Sequence, residues 1–235
     1  MKLHIALTTL FAFALSSTIF AHALWIETDP AASLGKPHSV RIFYGEYAAK
    51  EFEKTDKWYS DVNTFTLWLI APNGSKTKRN YSPSDDHFLA TFTPDREGLY
   101  ILSTSHSAKD IDGGYVYQFN ASATVKVGRS AAKEAAMPAN ELYLQSEHDP
   151  KGKSGIVKAY YKAQPAAEIT ITVSGPTGWS KSFKSDENGV LEFEPLWKGV
   201  YALEGFYTSE ETGTHHEKNY DHIWRCATAR VDLSK

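Results

Sequence analysis

The sequence predicts an all-β protein made of two tandem β-sandwich domains. Three observations indicate this fold class: apolar residues fall in short runs bounded by turn residues, no long stretch has helical periodicity, and the runs recur at a spacing of about ten residues. Apolar residues make up 42% and aromatic residues 13% of the 235-residue chain. This is an ordinary globular composition with the aromatic content that strands favour.

The chain begins with a segment typical of a secretory signal peptide. Lys2 precedes an apolar run that is too short for a membrane-spanning helix and ends in small residues. We therefore predict a signal peptide over residues 1–21 and a periplasmic mature protein. Cleavage after Ala23 is the alternative; it fits the small-x-small rule better, but it discards His22.

Strand-like runs separated by turn signals fill residues 22–128, the predicted first sandwich. Asn73-Gly74 and Asp112-Gly113-Gly114 are typical turn sequences between them. The predicted strands are 23–28, 39–44, 64–71, 88–93, 98–105 and 115–127.

An Ala-rich segment, 129–140, interrupts the pattern and is predicted to be a linker. A second series of strands follows in the predicted second sandwich, residues 141–235. Its predicted strands are 141–146, 155–162, 168–174, 179–184, 190–193, 199–207 and 223–233.

Charge and motif content exclude several classes of function. The formal net charge is -3, so the chain lacks the basic surface expected of a nucleic-acid-binding protein. Its single cysteine, Cys226, leaves no internal disulfide. Serine-hydrolase, zinc-protease and phosphate-loop motifs are all missing from the sequence, which favours a protein that is not an enzyme. We expect no nucleic-acid partner and no membrane insertion of the mature chain.

Four sequence blocks carry a resemblance to a known family: HALWIE at 22–27, VRIFYGEY at 40–47, the stretch from ITVSG to LEGF at 171–206, and EKNYDHIWRCATARVDL at 217–233. Together they resemble a largely uncharacterised family of secreted bacterial β-sandwich proteins associated with periplasmic nickel and cobalt uptake. The resemblance implies a divalent-metal role, with a histidine just before the first strand. The third block is similar to many transthyretin-like sandwiches, which implies a transthyretin- or Ig-like second domain.

The densest group of metal-capable side chains lies in residues 209–222, which we expect to form a loop between two strands. It contains His215, His216 and His222, together with Glu217 and Asp221. Neutral imidazoles bind nickel, copper and zinc, and the carboxylates make the segment attractive to a cation. The alternative interpretation is a hydrated polar loop without a ligand.

His22 is the second candidate ligand. If the signal peptide is cut after Ala21, the α-amine and Nδ1 of His22 can bind one ion in a six-membered chelate ring. Such nitrogen sites favour copper, with nickel next. Cys226 follows His222 by four residues and is a weaker candidate, because a lone cysteine is more often a small buried hydrophobic residue.

These residues predict a periplasmic protein that captures or delivers nickel, cobalt or copper, with a membrane metal-uptake system as a partner. We expect His22 to meet the histidines of residues 214–222 at the interface of the two sandwiches. The rival hypothesis is a binding or structural module that recognises a glycan or a protein. A mono-copper redox enzyme built on His22 is a third class, without a second supporting signal.

Overall fold

The computed structural model describes residues 22–129, 137–148 and 154–234, and nearly all of its regular structure is β-strand. The predicted signal peptide (1–21) and residues 130–136 of the predicted linker lie outside the described residues. Within the described ranges there is no α-helix, and so no helix long and apolar enough to cross a membrane.

In the described part of the chain, ten strands and one 3₁₀ helix precede the predicted linker, and eight strands follow it. The first ten are β1 (Ala23–Thr28), β2 (Ala31–Ala32), β3 (His38–Glu46), β4 (Glu51–Phe52), β5 (Leu67–Ile70), β6 (Lys76–Arg79), β7 (Tyr81–Pro83), β8 (Phe88–Phe92), β9 (Gly98–Asp112) and β10 (Tyr115–Val127), with the 3₁₀ helix at Val62–Thr64. The others are β11 (Leu142–His148), β12 (Gly155–Tyr161), β13 (Gln164–Pro165), β14 (Thr170–Ser174), β15 (Ser180–Lys184), β16 (Val190–Phe193), β17 (Val200–His215) and β18 (Lys218–Asp232).

The described strands form three sheets. The central sheet has nine strands in the order β15-β14-β17-β18-β10-β9-β5-β6, with β2 beside β10. A five-stranded first cover sheet has the order β1-β3-β8-β7, with β4 beside β3. A four-stranded second cover sheet has the order β11-β12-β13, with β16 beside β12.

A parallel pair joins the two halves of the central sheet. Strand β10 from the first half of the chain runs parallel to β18, the last strand, from the pair Tyr115 and His222 to the pair Ala121 and Thr228. Parallel neighbours need a long connection, and here it contains most of the second half of the chain. The two predicted sandwiches therefore share one continuous sheet.

The two cover sheets pack on opposite faces of the central sheet. Side chains alternate between faces along a strand, so Trp224 and Cys226 lie on one face of β18 and Arg225 and Ala227 on the other. Trp224 packs with the core under the first cover sheet, whereas Ala227 belongs to the core under the second.

The two cores differ in composition. Seven buried aromatic residues lie in the first core: Tyr44, Trp58, Phe65, Phe88, Phe92, Tyr100 and Phe119. The second core contains only Phe193 and Tyr201 among its buried aromatic residues and is otherwise aliphatic, with residues such as Leu142, Val157, Ile171 and Leu203.

The predicted β-sandwich architecture is confirmed, and the observed bounds of β1, β10 and β16 agree with the predicted strands. The prediction of a loop over residues 209–222 is wrong, because β17 and β18 continue as a hairpin to a two-residue turn at His216 and Glu217. Both turn residues have positive φ, 46° and 67°, as this tight hairpin turn requires. The ribbon is polar and largely exposed, so it lacks the apolar alternation that marks a strand in sequence.

Candidate functional site

An open cavity of about 410 Å³ lies on the face of the central sheet that the first cover sheet covers. It is surrounded by residues from four places in the fold: the start of β1, strand β3, the segment after β4, and the central sheet. The lining residues are His22, Tyr44, Glu53, Lys57, Tyr59, Asp112, Tyr117, Phe119 and Trp224.

The parallel pairing of β10 with β18 builds the floor of this cavity. Tyr117 is the register partner of Trp224, and their ring centroids are 5.6 Å apart. Phe119 lies two residues further along the same face and contacts Trp224 edge-on at 5.9 Å. The side-chain period of two along each strand thus brings aromatic rings from the middle of the chain and from its last strand together.

His22 stands at the edge of the cavity, between two carboxylates. Its Nε2 is 3.1 Å from Oε1 of Glu53, and its Nδ1 is 3.8 Å from Oε1 of Glu46. The ring packs against Tyr44 at a centroid distance of 5.4 Å, and the side chain is 36% exposed. A carboxylate only accepts hydrogen bonds, so the contact with Glu53 requires a proton on Nε2, while Nδ1 is on the side of Glu46.

A third carboxylate, Glu204 of β17, is half-buried, and its charge interacts with that of Glu46. Burial, together with the charge of Glu46, raises the pKa of Glu204 to about 7. Burial also raises the pKa of the Tyr44 hydroxyl, to which the charge of Glu53 contributes. The carboxylates of Glu46 and Glu53 beside His22 make its surroundings electronegative, which favours a bound cation.

Cys226 lies on the same face of β18 as His222 and Trp224, as its spacing predicts. Its side chain is fully buried, and burial raises the pKa of the thiol well above its ordinary value. Because the thiolate is the form that binds metals, the buried thiol is a poor ligand in this state. Its surroundings match the interpretation of Cys226 as a small buried hydrophobic residue.

The three histidines of the hairpin lie at different positions along it. His215 ends β17 and its Nε2 is 3.0 Å from the carbonyl oxygen of Ala108. His216 is in the turn, with its ring 4.5 Å from that of His215. His222 lies on β18 and stacks on Tyr115 at 4.7 Å and 19°. His222 is four residues further along the strand than Lys218, which pairs with His215 beside the turn. Four residues of strand span about 13 Å, so His222 lies well away from the other two histidines.

Within residues 22–129, 137–148 and 154–234, no group of three or more histidine, cysteine, aspartate or glutamate side chains is arranged to hold a metal ion. The side-chain contacts of His22 are to Glu46, Glu53 and Tyr44, all from the first half of the chain. The meeting of His22 with His215, His216 or His222 at one ion stays a prediction.

Other histidines of the chain have local partners. The side chain of His38 hydrogen-bonds the hydroxyl of Thr28 at 2.7 Å. His87 is 2.7 Å from Asp86, and His106 is 2.9 Å from Asp61. Each of these histidines thus has a nearby partner that explains its position.

The sequence does not predict the aromatic cavity or the part that the carboxylates Glu46 and Glu53 play beside His22. One signal was available: Tyr115, Tyr117 and Phe119 alternate on one face of a strand, and His222 and Trp224 repeat the pattern in another. Their adjacency depends on the parallel pairing of two strands about a hundred residues apart in sequence, which alternation alone does not indicate.

No family model and no curated protein matches the chain. Among solved structures, it is similar to Salmonella α2-macroglobulin reacted with methylamine at 11% identity and a TM-score of 0.28, covering 90% of this chain and 15% of the macroglobulin. A marsupial T cell receptor gives 11% identity, a TM-score of 0.28 and coverage of 87% and 61%. A segment of two fibronectin type III domains from chicken tenascin gives 10% identity, a TM-score of 0.24 and coverage of 88% and 97%. TM-scores this low identify neither a family nor a function for the chain.

Proposed function

We propose that this chain is an exported, periplasmic binding protein for a divalent transition metal, with His22 as the principal ligand. The metal is cargo, nickel, cobalt or copper, that the protein captures or delivers for uptake by a membrane system, and the protein is not an enzyme. The observation that carries the proposal is the position of His22, whose two ring nitrogens face the carboxylates of Glu53 and Glu46.

Glu53 supports metal binding by fixing the tautomer of His22. Metal-binding histidines usually donate their second ring N–H to a carboxylate or carbonyl, which orients the ring and raises its basicity. The 3.1 Å contact between Nε2 and Glu53 supplies such a partner. Nδ1 is then available to an ion, and the carboxylate of Glu46 is on that side of the ring.

The α-amine of His22 provides a further nitrogen when the signal peptide is cut after Ala21. Amine and Nδ1 then bind one ion, with Glu46 as an oxygen ligand, so that three donors come from only two residues. A cut after Ala23 would remove His22 and also Ala23, which is fully buried in β1 and pairs with Gly45. The packing of β1 thus supports retention of His22.

Metal affinity of the exported protein tests this proposal. The amino terminus is first determined by intact mass, and the metal-stripped protein is titrated with Ni²⁺, Co²⁺ and Cu²⁺ by calorimetry. We expect a Kd below about 10 μM for at least one ion, a useful strength for capture. We expect His22→Ala to weaken binding by more than ten-fold and Glu53→Gln by about 10–100-fold, the usual effect of losing an orienting partner.

Two controls separate the parts of the site. A chain with one additional alanine before His22 keeps every side chain but removes the amine chelate, and we expect it to bind at least ten-fold more weakly. His216→Ala removes an exposed imidazole at the tip of the hairpin and tests whether the hairpin contributes a ligand: unchanged affinity would confine the site to His22 and its carboxylates, and a loss of about ten-fold or more would add His216 to the ligands. A terminus at Leu24, absence of metal binding, or unchanged affinity in His22→Ala would each refute the proposal.

The aromatic lining of the cavity favours a second candidate function, recognition of an organic ligand. Five of its nine lining residues are tyrosine, phenylalanine or tryptophan. A metal ion bound by nitrogen and oxygen ligands does not require these aromatic side chains, whereas an organic ligand can pack against them.

A further inference from the structure

Five aromatic rings form a continuous arc around the cavity. Neighbouring ring centroids along the arc are 5.4, 5.9, 5.6 and 5.9 Å apart. All five rings line the same open space. In order, the aromatic arc consists of Tyr44, Phe119, Trp224, Tyr117 and Tyr59.

The size of the cavity indicates an organic ligand. Its volume of about 410 Å³ lies in the range of sites for small organic molecules, which are clefts of about 300–1,000 Å³ lined mainly by apolar and aromatic side chains. Tyr59, Tyr117 and Trp224 are only partly buried, so their rings are accessible from the open side.

Carboxylates stand at both ends of the aromatic arc. Glu53 is beside His22 at the Tyr44 end, and Asp112 is at the end formed by Tyr59 and Tyr117. Burial raises the pKa of Tyr117, and the negative charge of Asp112 is the next largest cause. Among the described residues, the carboxylate of Asp112 has no ion-pair partner.

The cationic side chain at the cavity does not neutralise Asp112. Lys57 lines the cavity, but its ammonium group is 3.8 Å from the carboxylate of Asp56, and both side chains are about 70% exposed. The cavity therefore combines π faces with an unpaired negative charge at one end.

We propose that the aromatic arc and Asp112 form a binding site for a small organic ammonium ion. Aromatic faces attract a cation within about 6 Å of their centroids, and desolvation strengthens the attraction. Asp112 supplies the opposite charge without a competing cation of the chain. A neutral sugar would gain the aromatic contacts but would make no use of this charge. The inference is independent of metal binding at His22, because neither the arc nor Asp112 belongs to the proposed metal ligands.

A matched pair of probes tests the charge requirement. Choline and 3,3-dimethyl-1-butanol have nearly the same shape, but only choline carries a positive charge. The exported protein is titrated with each by calorimetry in the presence of EDTA, so that metal binding does not contribute. We expect choline to bind at least ten-fold more tightly than the alcohol, a difference of about 1.4 kcal/mol.

Two substitutions locate the site. Asp112→Asn removes an exposed carboxylate and should weaken choline binding about five- to ten-fold while leaving the weak binding of the alcohol unchanged. Tyr117→Leu removes a ring from the middle of the arc and should weaken choline binding by a similar factor. Glu217→Gln removes an exposed carboxylate at the hairpin turn, outside the cavity, and serves as the matched control with unchanged binding.

Several outcomes would overturn the inference. Equal affinity for choline and the alcohol would indicate a purely apolar site, and binding of maltose without choline would indicate a sugar site. Failure of both choline and maltose to bind would exclude either ligand class at this cavity. Unchanged choline binding in Asp112→Asn would also contradict it. Each of these results leaves the metal affinity of His22 to be decided by its own titration.

Discussion

On the face of the central sheet under the second cover sheet, β18 buries Arg225, whereas on the opposite face β17 carries the half-buried carboxylate of Glu204. Arg225 has a full set of partners: its Nε donates to Glu141 at 2.8 Å, Nη1 to the hydroxyl of Ser209 at 2.6 Å, and Nη2 to Glu211 at 3.0 Å. A buried charge with this many hydrogen bonds is a structural element that joins neighbouring strands.

Glu204 has the opposite kind of environment. Its neighbour is a second carboxylate, Glu46, and its pKa is raised to about 7. The core on this face of the sheet is rich in aromatic rings and borders the cavity at His22, whereas the core on the Arg225 face is mostly aliphatic. One face of the sheet thus pairs its buried charge internally, whereas on the other face the carboxylates of Glu204 and Glu46 repel each other.

Matched substitutions in the two cores test whether they unfold together. Leu67 and Leu203 are both fully buried, one in each core. We expect Leu67→Ala and Leu203→Ala each to lower the free energy of unfolding by about 3–4 kcal/mol, from lost burial and the cavity left behind. Because the central sheet is continuous, we expect one urea transition, followed by circular dichroism and tryptophan fluorescence, that shifts in both variants. Two transitions, each shifted by only one variant, would show that the cores are independent.

Replacing Glu204 tests the electronegative face. Its folded-state pKa is raised from the ordinary glutamate value of 4.5 to about 7, so the folded protein binds this proton more tightly than the unfolded chain does. The associated stability is present below about pH 4.5 and is lost as the pH rises through about 7, by at most about 3 kcal/mol. We therefore expect Glu204→Gln to be more stable than the wild type at pH 8, with a difference that shrinks toward pH 4.5.

Urea denaturation at a series of pH values, with EDTA present, measures this difference. A Glu204→Gln protein that is less stable than the wild type at pH 8 would mean that the carboxylate has a stabilising partner. In that case the charges of Arg225 and Glu204 would both have stabilising partners, and the two faces of the sheet would not differ in this respect.

Arg225→Lys tests the structural role of the paired charge and should have the smallest of the three effects. Lysine keeps the charge but loses the planar fork that reaches three partners. We expect the free energy of unfolding to fall by about 1–2 kcal/mol, from weakened charge-assisted hydrogen bonds to carboxylates that are themselves partly exposed. As the control, Arg96→Lys alters the exposed pair with Asp95 and should leave the free energy of unfolding almost unchanged, because solvent screens an exposed ion pair. Equal effects in the two variants would remove the special role of Arg225.

The sequence determined the fold class and most strand positions. Strands 23–28 and 115–127 were predicted with their observed bounds, because apolar alternation and flanking turn residues are local signals. The hairpin to His215 and Lys218 was missed beyond Tyr207, because its exposed polar ribbon depends on cross-strand hydrogen bonds rather than on burial. The place of His22 before the first strand predicts it as a ligand. The carboxylates beside it, Glu46 and Glu53, belong to residues that lie 24 and 31 positions further along the chain.

Only the tertiary structure decided how the two halves meet and where the cavity lies. The parallel pairing of Tyr117 with Trp224 joins strands separated by more than a hundred residues, and no local pattern specifies such a partner. The same pairing joins the two halves of the central sheet, and the two cover sheets pack on its opposite faces. The period of a strand determines on which face of the sheet a side chain lies. The neighbours of that side chain on the same face depend on the register and packing of strands from the whole chain.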